Sequence, residues 1–443
     1  MSVDEPQACD VLVIGGGPAG SAISTLLARK GRRVVMLEKD HHPRFHIGES
    51  LLPGSVAQFE LLGVREELDR IGMPKFGIEF VPPTGPQRSY VEFAEGWNPR
   101  KGSAWQVRRS EMDEILFRHA GKEGAVTLEG ARVRQVDFDD GGADVTAQME
   151  DGSQRRWRAR FVVDASGRDT VLANKFKTKE RNTRHNSTAL FGHFRGARRL
   201  PGRREGNISI CWFEHGWFWF IPLADGTTSV GAVCWAYYLK ARDKPLKDYF
   251  YDTLRMCPEL YDRVKDAELV DDAVHATGNF SYFSTRATGE RHLMIGDAYT
   301  FIDPMFSSGV FLALQNAIEG ADLVDKALDH PAAYQAARAA REQRMRAMPG
   351  DYSWFIYRAT NPTIRDMFMH PKNVFKAKQG LLSLLAADLD HGPDFRRSLF
   401  MFKVVYYFIA VMHPRRTWRG WRRHRNAIRD HGKLRGETIQ TEG

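Results

Sequence analysis

Apolar positions near the start of the chain change from strand spacing to helix spacing and back. Residues 10–14 (Asp-Val-Leu-Val-Ile) form a short apolar run ending in glycines, which is typical of a buried parallel strand. Residues 18–30 place apolar side chains at helical spacing, and Gly31 can end that helix in a left-handed conformation. Residues 33–38 (Arg-Val-Val-Met-Leu-Glu) return to a strand pattern, so this part of the chain predicts a strand-helix-strand unit.

Later segments extend this sheet and interleave it with a second one. Residues 160–167 and 292–298 each have the pattern of a strand running into a glycine turn, and we expect both in the first sheet. The segments 81–106 and 175–272 are rich in aromatic residues and alternating strand patterns, which predicts a separate sheet. From residue 331 onward the pattern is helical and aromatic, so the sequence predicts an α/β fold with a helical carboxy-terminal cap.

Composition and charge narrow the class of protein. A chain of 443 residues with 42% hydrophobic residues is expected to bury a large core. Most of its net charge of +9 lies between residues 415 and 435, and no nucleic-acid recognition motif accompanies that cluster. Residues 1–10 lack the features of a secretory signal, so we expect a cytoplasmic location. The four cysteines are far apart, which argues for reduced thiols and against a metal site: Cys9, Cys211, Cys234 and Cys257.

The glycine-rich loop at residues 15–20 (Gly-Gly-Gly-Pro-Ala-Gly) predicts a dinucleotide-binding site. Its glycines suit a tight turn, a close approach of the backbone to a pyrophosphate and close packing of helix on strand. The amino terminus of the following helix adds unsatisfied N–H groups and a partial positive charge. Glu38, eighteen residues beyond Gly20, is placed to accept hydrogen bonds from a ribose.

With these residues the chain resembles the superfamily of FAD-dependent aromatic hydroxylases. The segment 296–298 (Gly-Asp-Ala) matches a late family motif, and the resemblance implies that Asp297 contacts the ribityl chain of the flavin. Residues 107–113 match a family stretch with an arginine four residues before an aspartate, which implies that Arg109 reaches the cofactor. On this basis residues 1–80, 107–174 and 273–330 are expected to form the FAD-binding domain. Residues 81–106 and 175–272 are expected to form a substrate-facing sheet, and residues 331–443 the cap.

A tryptophan motif makes the chain similar to the flavin-dependent halogenases within that superfamily. Residues 216–222 (Gly-Trp-Phe-Trp-Phe-Ile-Pro) contain the family string Trp-x-Trp-x-Ile-Pro. Two tryptophans in alternation also fit the buried face of an ordinary strand, because side chains two apart point the same way. In the family, the motif is thought to separate the flavin from the organic substrate, and two stacked indoles at Trp217 and Trp219 are large and rigid enough to do so.

Lys75 resembles the active-site lysine of the halogenases. Its ammonium can donate a hydrogen bond to hypohalous acid, or its amine can itself be halogenated. We expect burial against an apolar wall to lower its pKa and make the neutral amine accessible. The alternative is a solvated lysine on a loop, which is the usual state of a lysine.

The segment 303–309 (Asp-Pro-Met-Phe-Ser-Ser-Gly) precedes a predicted helix and is a candidate halide site. Ser307 or Ser308 can cap the helix, and its amino-terminal N–H groups suit an anion, so Ser308 and Gly309 are the predicted halide contacts. Hydroxylases use the same helix end to hold the flavin ring, so the segment separates the two classes poorly. The helix is expected to bury one face: Val310, Leu314, Ala317, Ala321, Val324 and Leu328.

One departure from the family pattern bears on the substrate. Tryptophan halogenases carry an acid before the pair of small residues, whereas this chain has Phe306. Without an acid to assist proton loss, the substrate is expected to be more electron-rich, such as a phenol or a pyrrole. Residues 44–53 also resemble the phenol and pyrrole halogenases, and this resemblance covers most of residues 8–330. The predicted cofactor-binding set is Gly15, Gly17, Ala19, Gly20, Glu38, Lys39, Arg44, Glu49, Ser50, Arg109 and Asp297.

The carboxy-terminal segment combines an apolar run with a basic one. Residues 399–412 are too short a run to cross a bilayer, and residues 418–425 alternate tryptophan with arginine. This order fits contact with an acidic membrane surface, docking of an acidic carrier protein, or a cap helix with a solvated basic end.

The resemblance implies a halogenase that receives reduced FAD from a separate flavin reductase. Chloride or bromide would be oxidised through a flavin hydroperoxide, and Lys75, Trp217 and Trp219 would direct hypohalous acid to a free or carrier-bound phenol or pyrrole. The alternatives are an aromatic hydroxylase, a flavin reductase of isoprenoid double bonds, and an inactive flavoprotein that serves as a docking subunit.

Overall fold

The computed structural model describes residues 5–278, 281–301, 303–347, 349–371, 373–389 and 392–429. In chain order the strands are β1 (Gln7–Ile14), β2 (Val34–Leu37), β3 (Met73–Lys75), β4 (Gly77–Val81), β5 (Ser89–Glu92), β6 (Ala104–Gln106), β7 (Val126–Leu128), β8 (Ala131–Asp139), β9 (Gly142–Met149), β10 (Gln154–Asp164), β11 (Lys179–Arg181), β12 (Ser187–Arg195), β13 (Ile208–Phe213), β14 (Gly216–Pro222), β15 (Thr227–Trp235), β16 (Glu268–Leu269), β17 (His275–Thr277), β18 (Tyr282–Ser284), β19 (His292–Met294) and β20 (Thr300–Phe301). The helices are α1 (Pro18–Arg29), α2 (Gly54–Leu62), α3 (Arg65–Ile71), α4 (Arg109–Lys122), α5 (Val171–Lys175), α6 (Ala236–Lys240), α7 (Leu246–Arg255), α8 (Pro258–Val264), α9 (Gly309–Asp329), α10 (Pro331–Ala347), α11 (Pro349–Ile356), α12 (Pro362–Met369), α13 (Ala377–Leu385), α14 (Gly392–Met412) and α15 (Pro414–Arg429).

Contacts between residues divide the chain into two compact units. The first unit combines Met1–Met73, Ala104–Arg181 and Tyr282–Tyr352. The second combines Pro74–Ser103, Asn182–Ser281 and Ser353–Gly443. Each unit is therefore assembled from three separate stretches of chain, while the three domains expected from the sequence stay a prediction.

The first unit is built on a largely parallel sheet. Its strand order is β7-β2-β1-β10-β9-β8, with β19 also paired to β10. Strands β7, β2, β1, β10 and β19 run parallel, whereas β9 and β8 are antiparallel. The predicted strand-helix-strand unit is confirmed, and Gly31 has the expected positive φ of 77°. Because parallel strands end at the same edge, the loops after β1, β2, β10 and β19 meet there.

Helices α1, α4 and α9 contribute to a hydrophobic cluster on this sheet. The cluster joins the apolar side chains of β1 and β10 to those of the helices. The predicted buried face of α9 is confirmed at all six positions: Val310, Leu314, Ala317, Ala321, Val324 and Leu328. This packing fixes the amino-terminal end of α9, which carries the predicted halide contacts.

The second unit contains a mainly antiparallel sheet of order β16-β12-β15-β14-β13-β4-β5, with β17 also paired to β12. Only the β13–β4 pairing is parallel among the pairs formed by these strands in the described residues. One face packs against α7 and α8 through a cluster that includes Phe213, Phe218 and Phe250. All four cysteines are buried free thiols, as the sequence predicted.

The opposite face of this sheet carries a stack of aromatic rings beneath the carboxy-terminal helices. Phe80 of β4 stacks on Trp212 at 5.6 Å and on Phe368 of α12 at 5.0 Å between ring centroids. The Trp212 indole N–H donates to the carbonyl of Ala359. Within the described part of residues 331–429 the chain forms α10–α15, so the helical pattern predicted from the sequence is confirmed there.

A buried ion pair ties β4 to α8 within the second unit. Arg263 donates to Glu79 from both terminal nitrogens, at 2.8 and 3.0 Å, and Ser209 and Tyr90 donate to the same carboxylate. Burial raises the pKa of Glu79, but the hydrogen bonds and charge of Arg263 outweigh it and hold the pKa below its usual value. The carboxylate is therefore charged at neutral pH, and these donors compensate for the cost of burying its charge.

Arg263→Met is expected to lower the free energy of unfolding by about 3–5 kcal/mol, because it leaves Glu79 buried without its counter-charge. Urea unfolding at neutral pH measures this loss. Arg255→Met is the matched control, since Arg255 pairs with Asp252 on the surface and such pairs contribute about 0–1 kcal/mol. Equal losses in the two variants would contradict a structural role for the buried pair.

Candidate functional site

The loop between β1 and α1 is a tight backbone turn that only glycine permits at two positions. Gly15 has φ of 100°, and a Cβ there would lie 2.5 Å from the carbonyl oxygen of Ala165. A Cβ on Gly20 would lie 1.9 Å from the carbonyl oxygen of Gly15. Gly17 precedes α1 in an extended conformation and provides no side-chain cap, so the first N–H groups of α1 retain capacity for an anion.

Glu38 at the end of β2 is bonded directly to this loop. Its carboxylate accepts from the N–H of Gly16 at 2.8 Å and from that of Asp40 at 3.0 Å, and Arg44 lies 3.2 Å away. The neighbouring Lys39 forms an ion pair with Asp169 at 2.7 Å. The structure thus brings Glu38 and Arg44 to the glycine loop, while the ribose contact of Glu38 stays a prediction.

Arg109, the first residue of α4, anchors the segment that follows Arg44. Its guanidinium makes two hydrogen bonds to Asp113, at 2.8 and 3.0 Å, and donates to the carbonyl of Ile47 at 3.0 Å. Gly48 has φ of 108°, and a Cβ there would lie 3.0 Å from the guanidinium. Glu49 and Ser50 continue this segment along β6, since the carbonyl of Glu49 accepts from Val107 and Ser50 pairs with Gln106.

Asp297 lies in a short turn, Gly296–Ala298, that packs against two helices. A Cβ on Gly296 would lie 3.3 Å from the Cβ of Ala19 in α1 and 3.5 Å from that of Ala313 in α9. Asp297 is partly buried, and the loss of solvation around its carboxyl group raises its pKa to about 6. The positive charges of Arg109 and Arg168 act in the opposite direction but are outweighed. The turn therefore holds a carboxyl group near Arg109, at the edge where the glycine loop lies.

The start of α9 follows a second constrained turn. Asp303 accepts from the N–H of Met305 at 3.0 Å, and Ser307 adopts a left-handed conformation with φ of 55°. Ser308 precedes the helix, and its side chain does not cap it. A Cβ added at Gly309 would have no neighbouring atom within 4 Å. This geometry leaves room for a ligand beside the first turn of α9.

These features of the first unit fit FAD. The glycine loop, Glu38, Asp297 and the amino termini of α1 and α9 follow parallel strands or pack at their carboxyl edge, where dinucleotides bind in open α/β sheets. A Cβ at position 15 or 20 would fill the turn that must approach the pyrophosphate. The residues that would hold the cofactor are thus gathered in one unit.

Trp217 and Trp219 lie in β14 of the second unit, on the face opposite α7 and α8. Strand register places Trp217 beside Trp212 and Trp219 beside Ile210. Both tryptophans are buried, which agrees with the strand pattern read from the sequence. Their ring centroids are 6.2 Å apart and the planes meet at 56°, so the expected stacking of the two indoles is wrong. Successive same-face side chains on a twisted strand are rotated relative to each other, which favours this tilt.

The neighbouring strand β15 fixes the orientation of Trp219. The indole N–H donates to the hydroxyl of Ser229 at 3.1 Å. The indole also lies flat over Gly231, because a Cβ there would be 2.2 Å from the ring. Gly231 and Ser229 therefore act as positioning residues for Trp219.

Gly231→Ala is expected to push the Trp219 indole off the sheet and to lower the free energy of unfolding by about 1–3 kcal/mol, the usual cost of overpacking. Product formation should fall more than FAD binding does, because Gly231 and the cofactor residues belong to different units. Thermal unfolding measures the first effect, and an assay of the halogenation expected from the sequence measures the second. Ser229→Ala removes the hydrogen bond without adding volume, so it should lower product formation less than Gly231→Ala does; an unchanged activity in Gly231→Ala would refute the positioning role.

Lys75 ends β3 and is completely buried. Its Nζ lies 5.2 Å from the centre of the Phe93 ring. The backbone after it is fixed by Asn207, whose side chain accepts from the N–H groups of Phe76 and Gly77 at 2.8 and 2.9 Å. Burial lowers the pKa of Lys75 to about 7, as the sequence predicted, and the alternative of a solvated loop lysine is wrong.

Several positions of interest were not singled out from the sequence. Asp164, at the end of β10, accepts from the N–H groups of Ser166 and Leu172 and so shapes the turn beside the glycine loop. The sequence feature that could have identified Asp164 is the predicted strand that ends in Asp-Ala-Ser-Gly. Gly231 interrupts an alternating strand pattern, and such a glycine often marks a close approach. Phe93 and Asn207 carried no local signal, because only strand pairing brings them to Lys75.

Comparisons with known proteins identify the family. Residues 8–347 match the family described as FAD binding domain. The flavin-dependent halogenase gsfI of Penicillium aethiopicum is 34% identical over 72% of this chain and 65% of its own length. The flavin-dependent halogenase armH3 of Armillaria mellea is 34% identical over 73% of this chain and 68% of its own length. The chain thus spans about two thirds of the length of these relatives.

Solved structures of flavoproteins, including a halogenase, align with most of this chain. The myxobacterial chondrochloren halogenase CndH aligns with a TM-score of 0.75 and 29% identity over 88% of this chain and 99% of its own. A flavoprotein/dehydrogenase from Cytophaga hutchinsonii aligns with a TM-score of 0.82 and 24% identity over 92% of this chain and 100% of its own, which shows a shared fold. With an FAD-binding domain over most of its length and halogenases among both its relatives and its structural neighbours, the chain belongs to the flavin-dependent halogenases.

Proposed function

We propose that this chain halogenates an electron-rich aromatic compound, a phenol or a pyrrole, with chloride or bromide. The observation that carries the proposal is Lys75, a fully buried lysine held over the Phe93 ring in a member of the halogenase family. When bound, reduced FAD (FADH2) would supply two electrons and two protons, with which O2, a halide ion and one further proton become hypohalous acid and water. The residues of the chain then have to direct that oxidant to the substrate.

Lys75 is suited to hold hypohalous acid. With a pKa of about 7, it exchanges readily between an ammonium, which donates a hydrogen bond to the oxidant, and an amine, which accepts the halogen. Electrophilic substitution then forms the carbon–halogen bond and releases water, with oxygen from the hypohalous acid and hydrogens from that acid and the ring carbon. We assign Trp217 and Trp219 the separation of the organic substrate from the cofactor.

The cofactor and halide roles belong to residues of the first unit. We assign the pyrophosphate to the glycine loop, the ribose to Glu38 and the ribityl chain to Asp297, with Lys39, Arg44, Glu49, Ser50 and Arg109 completing the cofactor site. Ser308 and Gly309 are assigned to the halide, since the open space at the start of α9 and its N–H groups suit an anion.

The buried Phe306 supports an electron-rich substrate. It is 3% exposed and apolar, so it provides no carboxylate for the proton that leaves the ring. A phenol or pyrrole stabilises the cationic intermediate through its own heteroatom and depends less on such a base. The partners we infer are a flavin reductase and either a free aromatic molecule or an acidic carrier protein that bears it.

The test is a halogenation assay with purified protein, FAD, a flavin reductase, NADH, bromide and a panel of phenols and carrier-bound pyrroles. We expect a product whose mass and isotope pattern show bromine, and no such product when bromide is omitted. Hydroxylated product without halogenated product would assign the chain to aromatic hydroxylation instead. No product with any phenol or pyrrole would overturn the proposal.

A further inference from the structure

Helix α14 has two apolar faces, and only one of them is buried. Phe395, Leu399, Phe402 and Tyr406 pack inward. The other face exposes large side chains by 40–74%: Phe400, Val404, Tyr407, Phe408, Val411 and Met412. These six recur at helical spacing, so they form one stripe along the helix. A stripe of this kind marks an interaction site rather than ordinary surface.

Helix α15 continues this exposed surface and adds positive charge. Trp418 and Trp421 are 55% and 52% exposed. Arg422 lies over the Trp418 ring and Arg425 over the Trp421 ring, each at 5.2 Å. We call the exposed stripe of α14 together with this face of α15 the basic-aromatic surface: Phe400, Val404, Tyr407, Phe408, Val411, Met412, Arg415, Trp418, Arg419, Trp421, Arg422 and Arg425.

The opposite face of α15 is fixed to the second unit. His424 packs edge-on against Trp235 at 4.9 Å and contacts the carbonyl of Arg184 at 3.1 Å. Arg416 pairs with Asp366 and Arg423 with Glu214. The helix is thereby oriented before it meets a partner, which reduces the conformational entropy lost on binding.

The basic-aromatic surface is unusual within this chain in both hydrophobicity and charge. It contains eight of the fourteen exposed large hydrophobic side chains among the described residues. Residues 395–429 include ten lysines and arginines and neither aspartate nor glutamate. Val374 and Phe375, exposed by 44% and 70%, lie on a turn that packs against α14 and extend the apolar part.

This combination matches the chemistry of an anionic membrane surface. Phenylalanine, valine and methionine can enter the acyl boundary, tryptophan and tyrosine favour the headgroup level, and arginine binds lipid phosphates. A small acidic carrier protein would satisfy the arginines but would leave much of the α14 stripe in water, since transient protein interfaces are small and no more apolar than ordinary protein surface. None of the described helices combines the length and apolarity needed to cross a bilayer.

We propose that the basic-aromatic surface docks the protein peripherally on membranes that contain anionic phospholipids. Val411 and Phe408 enter the acyl boundary, Trp418 and Trp421 lie at the headgroups, and Arg422 and Arg425 contact phosphates. Such docking would place a halogenase where apolar aromatic substrates concentrate. The proposal concerns binding alone and stands whether or not halogenation is found.

The experiment measures co-sedimentation of the full chain with phosphatidylcholine vesicles, with and without phosphatidylglycerol. We expect at least tenfold tighter binding to the anionic vesicles, weakened by salt. Phe408→Ser/Val411→Ser and Arg422→Gln/Arg425→Gln should each weaken it at least tenfold. Leu61→Ser and Arg195→Gln/Arg242→Gln, which change exposed side chains elsewhere, are the matched controls and should bind as the parent does.

Bound flavin and the thermal unfolding temperature verify that each variant is folded. The proposal is overturned if the parent fails to sediment with anionic vesicles, or if both double variants bind as tightly as the parent. It is also overturned if light scattering shows a dimer that Phe408→Ser/Val411→Ser dissociates, which would assign the surface to a second copy. Tight binding of an acidic carrier protein without vesicle binding would assign it to a protein partner.

Discussion

Lys75→Met is expected to lower the rate of halogenation by about 10²–10⁴-fold, the usual contribution of a positioned proton donor or acceptor. Methionine preserves the length and volume of the side chain but can neither donate to hypohalous acid nor take up the halogen. The variant should still bind FAD and consume oxygen, because the cofactor residues belong to the other unit. Halogenated product, oxygen uptake and the flavin spectrum are measured on the same preparation.

The same variant is expected to be more stable than the parent, with a defined pH dependence. Burial holds the pKa of Lys75 near 7, below its ordinary value of 10.5, so the folded state binds fewer protons than the unfolded state between these values. The parent therefore gains stability as pH rises from 7 to 10.5, by up to about 1.4 kcal/mol per pH unit. The advantage of Lys75→Met is largest below pH 7 and shrinks through that window, which urea unfolding at several pH values can follow.

One control variant and one pH profile make the Lys75 result specific. Lys265→Met removes a surface lysine that pairs with Asp262, and it should change neither activity nor the pH dependence of stability. A plot of the halogenation rate of the parent against pH should also show an inflection near pH 7, where the Lys75 side chain exchanges its proton. Normal halogenation by Lys75→Met would show that delivery of the oxidant to the substrate does not require this residue.

Gly20→Val should abolish FAD binding altogether. Even the first added carbon would lie 1.9 Å from the carbonyl oxygen of Gly15, so the backbone of the loop must move. That movement displaces the N–H groups at the start of α1 from a pyrophosphate and breaks the packing of helix on strand. The purified variant should be colourless, and added FAD should neither restore the spectrum nor raise the unfolding temperature.

Gly121→Ala is the matched control for the loop. Its added carbon would meet Thr127 at an ordinary 3.4 Å inside α4, so FAD binding should be unchanged. Yellow protein with full flavin content from Gly20→Val would contradict the assignment of this loop to the cofactor. Retained secondary structure in the circular dichroism spectrum separates loss of the site from loss of the fold.

Local patterns identified the glycine loop, the strand-helix-strand unit, the Trp217–Trp219 strand and the buried face of α9. Each depends on residues close together in sequence, where periodicity and backbone sterics act directly. The burial of Lys75 was expected from its resemblance to the family lysine and from the alternating apolar residues that follow it, but the groups that bury it could not be read from the sequence. The tilt of the two indoles was missed, because it depends on strand twist and on Gly231 in the neighbouring strand.

The sequence by itself determined that this protein binds a dinucleotide and carries the motifs of a halogenase, because a phosphate loop and a tryptophan strand are short-range features. Only the tertiary structure decided the state of Lys75, since its burial and its lowered pKa arise from groups such as Phe93 that strand pairing brings to it. Likewise, the charge of residues 415–425 was readable from sequence. Which of those arginines pair with Asp366 and Glu214, and which share a face with the two tryptophans, was decided by the packing of α15, because contacts between distant residues are a property of the folded chain.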